Sequence, residues 1–139
     1  MGNWHERYLG IPWAAVPEWP ESATCGELVR HVFLDLHGIE SAPIPVPDAG
    51  ILRDCIAAMS PDGYPLEKLP DGEHPRDFDI CFLGKARYLD HVGIGARTAD
   101  GLLILHCMQG AGVVMDSPAE LAAMGFTRQR WYRCTRLES

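Results

Sequence analysis

Apolar residues recur at Cys25, Leu28, Val29, Val32, Phe33 and Leu36, the spacing that lines one buried face of an α-helix, and predict a helix over 24–37. Thr24 followed three residues later by Glu27 has the form of a capping box, and Gly38 supplies a C-terminal stop. From Phe78 onward the period falls to two. In LDHVGIGA, 89–96, His91, Gly93 and Gly95 alternate with Val92, Ile94 and Ala96. In GLLILHC, 101–107, Leu103, Leu105 and Cys107 alternate with Leu102, Ile104 and His106. The intervening RTAD, 97–100, reads as a four-residue hairpin loop, and pairing Ala96 with Gly101 sets His91 directly opposite His106. A slip of one residue would send the two histidines to opposite faces.

The remaining stretches carry weaker signals. Residues 1–23, rich in Trp, Pro and Gly, read as an irregular arm. SAPIPVPD at 41–48 is a proline-punctuated connector, 49–59 has the pattern of a second helix, and 60–77 reads as loop. A short helical segment is expected near Pro118–Met124 between strands. Helices first and an antiparallel sheet afterwards is an α+β pattern, and the 139 residues are expected to form one domain.

This patterning places candidate chemistry. Cys25 falls in the first helical turn, where unpaired backbone N–H groups and the positive end of the helix dipole favour a thiolate. A thiolate is what a nucleophilic cysteine requires. Two facing imidazoles on the hairpin can act as a general base and the group that orients it. The expected arrangement is Cys25 at a helix N-terminus facing a hairpin on which His91 and His106 lie side by side. The structural alternatives are a buried packing cysteine and ordinary strand histidines.

Composition narrows the partners. Nineteen acidic against twelve basic residues give a formal charge of −7 and a pI near 5.2, which argues against nucleic acid, since phosphate contacts need clustered Lys and Arg. No apolar run approaches the roughly 20 residues that span a bilayer, so no membrane insertion is expected. MGNWHERYLG has neither the basic nor the apolar region of a secretory signal, so export by that route is not expected. The five cysteines, Cys25, Cys55, Cys81, Cys107 and Cys134, are odd in number and widely spaced, without a CxxC pair. They suggest reduced thiols rather than a disulfide framework or a zinc finger.

The order of these residues carries a resemblance. Cys at a helix start, HVGI on a strand and a second His ending the next strand are similar to the NlpC-type papain-like cysteine peptidases of peptidoglycan. TCGELVRHVF at 24–33 resembles the phage-tail form DCWGLVR, and YLGIPW at 8–13 looks like the segment preceding the nucleophile. PRDFDICFL resembles the strand entered by a Pro-Gly-Asp turn, and LHCMQGAGVVMDSPAEL at 105–121 with WYRC looks like the closing segment of the phage tail-assembly branch. The resemblance implies a papain-like fold, with the Cys-bearing helix packed on a small antiparallel sheet. It implies hydrolysis of the amide between D-glutamate and a diamino acid in peptidoglycan stem peptides, without a cofactor. Cys25 is then the nucleophile, His91 the base and His106 the orienting group. It also implies a virion location at the tail tip, with other tail-tip proteins as partners and the cell-wall compartment as the site of action. The chain departs from the pattern at Thr24 (Asp in the family), at Glu27 (Gly) and at Trp13, which stands where the family has a Tyr. Glu27 brings a negative charge near the thiol, which opposes ionisation.

Two other readings come from the same residues. A catalytically degenerate tail-tip component would keep the fold and dock partners on Trp4, Trp13, Trp19 and the proline-rich connector. A metal site would draw on Cys25, Cys81, His91, His106 or Cys107, but the adjacent His106 and Cys107 point to opposite strand faces, and no metal is expected.

Overall fold

Helix α1 spans Cys25–His37 and begins as its pattern requires, with the Thr24 side chain accepting from the Glu27 N–H at 3.2 Å. It ends at Gly38, whose left-handed backbone (φ 66°) suits glycine. The computed structural model describes residues 3–40, 66–85, 89 and 91–135. The connector at 41–48 and the second helix expected at 49–59 lie outside these residues.

Six strands are described: β1 (Leu66–Lys68), β2 (Ile80–Gly84), β3 (His91–Thr98), β4 (Gly101–Met108), β5 (Gly112–Asp116) and β6 (Arg128–Cys134). They form one antiparallel sheet in the order β1-β6-β2-β3-β4-β5. A short helix, α2 (Pro118–Ala123), connects β5 to β6 and opens on a complete capping box between Ser117 and Glu120. The class is therefore α+β. Strand β1 falls inside the stretch read as loop, because three residues with polar neighbours carry no period. The arm contains a 3-10 turn at Trp4–Tyr8 and then runs beside β5, with Gly10 N–H donating to Val113 O and Val113 N–H to Ile11 O.

The sheet separates two apolar layers. Val92, Ile94, Ala96, Leu105, Cys107 and Val113 pack with the buried face of α1, Cys25 included. On the other side Cys81, Leu83 and Ile104 pack with Leu121 of α2 and Phe126. Trp4 is buried and stacks on Phe78, while Trp13 and Trp19 are half-buried against the α1 layer, so these aromatics close the arm over the core. Away from both layers, Arg133 of β6 makes a two-pronged ion pair with buried Asp79 at 2.8 and 2.9 Å and a further bond to Glu73, which ties the loop before β2 to the last strand.

The β3–β4 register departs from expectation by two residues. Thr98 pairs with Gly101 across a two-residue turn, and Gly93, rather than His91, stands opposite His106. Gly101 takes φ 101°, which a tighter turn here needs and a side chain resists. A shift of two leaves every side chain on its expected face, so the division of the hairpin into a Val/Ile/Ala face and a His/Gly face survives. Gly93 itself is constrained. A Cβ there would lie 2.5 Å from Ile104 Cγ2 and 2.9 Å from Leu105 O. Gly93→Ala should destabilise the fold by about 1–3 kcal/mol through overpacking, read from the urea midpoint, and a change within about 0.5 kcal/mol would contradict the register.

Candidate functional site

Three strands contribute one polar side chain each to the same sheet face. His91 opens β3, His106 lies near the end of β4, and Asp116 ends β5. Because Gly93 pairs with His106, and His106 with Val114, each polar residue sits diagonally from the next, a separation that long side chains bridge. Gly93, between the two histidines on this face, lets Ile104 and the His106 Cβ approach the β3 backbone closely. His91 Nε2 and His106 Nδ1 are 2.9 Å apart, with the rings nearly perpendicular, so the edge of one meets the other. His106 Nε2 lies 2.8 Å from Asp116 Oδ2.

The proton positions follow from the partners. An ionised carboxylate only accepts, so His106 carries its proton on Nε2 and presents a bare Nδ1. His91 must then donate from Nε2, which leaves its own Nδ1 as the bare nitrogen with a lone pair. A carboxylate thus orients one imidazole, and that imidazole orients the next.

Burial sets the ionisation. His106 is fully buried and His91 is 8% exposed. Desolvation, then the neighbouring His106 and Lys85, push the His91 imidazole down to about 3. His106 is also lowered by desolvation, with Asp116 opposing that shift. Both rings are neutral at pH 7. Phe126 stacks on the His91 ring at 5.2 Å between centroids, and the Lys85 ammonium lies 4.9 Å from the Phe126 centroid.

The structure therefore unites His91 and His106, as expected, though diagonally rather than directly opposed. Cys25 is fully buried at the start of α1, in the layer with Val92 and Cys107. Since side chains alternate along β3 and β4, His91 and His106 project to the opposite side of the sheet. The expectation that the helix N-terminus faces the histidine face is corrected on this point. The physical reason is the helix's own apolar face, which is complemented by the Val92, Ile94, Ala96 and Leu105 surface and not by a face of histidines and glycines. The charge of Glu27 is met by Arg30 at 2.8 Å. Trp13 bridges Ala23, two residues before Cys25, and so lies beside the helix start.

Cys25, Cys81, Cys107 and Cys134 are all buried, with no disulfide among the described residues. Cys107 donates to Ala23 O at 3.4 Å and its thiol is raised to about 11 by burial, as Cys81 is raised further still. Among the described residues no three His, Cys, Asp or Glu side chains form a group that could hold a metal ion.

No family model matches the chain, and no curated protein matches it.

Asp116 is the site residue that sequence reasoning missed. Its signal was present in GVVMD, 112–116, whose alternation puts Val114 and Asp116 on one face, but the β4–β5 register was needed to bring that face to His106. The buried pair makes folding pH-dependent. Both imidazoles titrate below their unfolded value of about 6.5, so the unfolded chain takes up protons first and stability falls as pH drops below that value toward the folded one. The urea midpoint should be lower at pH 5 than at pH 7, and His91→Gln should flatten the difference. His31 and His37, lowered by burial as well, leave a residual slope. A midpoint independent of pH across this range would contradict the buried neutral pair.

Proposed function

We propose that this chain is a papain-like cysteine peptidase domain of the NlpC type, cutting the D-glutamyl–diamino acid amide of peptidoglycan stem peptides as part of a phage tail tip. The observation that carries the reading is the chain from Asp116 through His106 to His91, which ends on a bare Nδ1. A base oriented by a second group is the arrangement that activates a weak nucleophile. Cys25 is the nucleophile in this reading on two grounds: its place in the TCGELVR motif and its position at a helix N-terminus. His91 Nδ1 takes the thiol proton, the thiolate attacks the amide carbonyl, and the protonated imidazole returns that proton to the leaving amine.

That sequence needs the Cys25 sulfur within hydrogen-bond reach of His91, whose ring projects from the sheet face opposite the α1 layer. The separation favours a second reading, a tail-tip component that keeps the fold and binds without cleaving.

Fragment release from purified peptidoglycan separates the two. For the peptidase, Cys25→Ala abolishes release in a folded protein, and His91→Ala lowers it on the order of a hundredfold or more. The double variant costs little beyond the first, because nucleophile and base act as one unit. His106→Ala retains more activity than His91→Ala. Wild-type protein inert on both meso-diaminopimelate and lysine-type walls, alone and in its assembled particle, identifies the non-cleaving component.

A further inference from the structure

The sheet face that carries the histidines is covered by the chain that follows Asp116. Phe126, 5% exposed, lies on the His91 ring, and the Lys85 ammonium sits over Phe126. Phe126 is delivered by α2 and a reversal at Gly125 (φ 108°), with its N–H donating to Leu121 O at 2.9 Å. Between Pro118 and Phe126 the buried side chains are Leu121 and Phe126 alone; Ala119, Glu120, Ala122, Ala123 and Met124 are exposed. Apart from those two anchors, Gln129 Nε2 holds the segment by donating to Pro118 O and Phe126 O. A surface segment fixed by two apolar side chains belongs to the least stable part of a fold and opens without unfolding the sheet beneath.

We infer that Pro118–Phe126 is a hinged cover over His91, latched by Lys85 on Phe126, so that the histidine chain rests closed until a partner or substrate lifts it. The inference rests on the reading of His91 as the functional base and adds its regulation. The segment has natural ends, the Ser117 cap, which directly follows Asp116, and Thr127, the single residue between Phe126 and β6. Lifting the cover therefore frees the His91 ring without removing the carboxylate at the far end of the chain.

The test uses the full chain and two readouts that require no catalysis. Hydrogen exchange is followed at the 118–126 amides and at β3 and β4, and His91 accessibility is followed by its rate of modification with diethylpyrocarbonate. The cover requires the 118–126 amides to exchange well before those of β3 and β4, with His91 modification tracking the former. Lys85→Ala, at an exposed position, should raise both rates roughly two- to fivefold, the effect of losing an exposed cation–π contact, without changing β3 and β4 protection. Phe126→Leu, which keeps an apolar anchor, should raise His91 modification further, and if it fails to fold, Lys85→Ala carries the test alone. Exchange of 118–126 and modification of His91 only together with the whole sheet, unaltered by Lys85→Ala, would overturn the cover. Absent hydrolysis with intact tracking sinks the peptidase and keeps the cover, whereas hydrolysis without tracking does the reverse.

Discussion

Everything in this fold turns on the close pairing of Gly93 with His106. A glycine at that point lets β3 and β4 approach where any Cβ would meet Ile104 and the Leu105 carbonyl. It also fixes which residues share a face. Val92, Ile94, Ala96, Leu105 and Cys107 form the apolar floor on which α1 lies, and His91, Gly93 and His106 form the other face under α2 and Phe126. The hairpin thus decides at once where the helix docks and where the polar chemistry goes.

Burying two imidazoles is costly unless each polar atom facing the interior is bonded, since an unsatisfied buried group costs about 1–3 kcal/mol. Here the demand is met in series. Asp116, partly exposed at the end of an edge strand, keeps contact with solvent while accepting from His106, which in turn accepts from His91. The chain conducts orientation inward from a carboxylate at the rim to a ring in the interior. The Asp79–Arg133–Glu73 cluster applies the same logic to the β2–β6 side of the sheet, where a fully paired guanidinium closes the molecule. That cluster has no ring nitrogen with a spare lone pair, which is what sets the histidine chain apart as chemistry.

The features legible in the sequence were the local ones. The α1 cap, its apolar stripe and the Gly38 stop are encoded within a few residues and appear as expected, as do the two faces of the β3–β4 hairpin and the short helix after Ser117. Non-local geometry was not legible. The hairpin register depended on whether Thr98 or Ala96 closes the turn, a choice the RTAD segment leaves open. Strand β1 exists because β6 returns beside it, and nothing in LEK announces that partner. The two largest surprises, Asp116 joining the histidines and Cys25 lying across the sheet from them, both follow from how elements stack, which periodicity in one strand does not specify.

Imidazole nitrogen NMR reads the directed chain of proton donors from His91 through His106 to Asp116 most directly. With both rings neutral at pH 7, each should be the tautomer protonated on Nε2, His106 bonded to the carboxylate and His91 showing an unprotonated Nδ1. Either ring protonated on Nδ1, or a doubly protonated His91 at that pH, would contradict it.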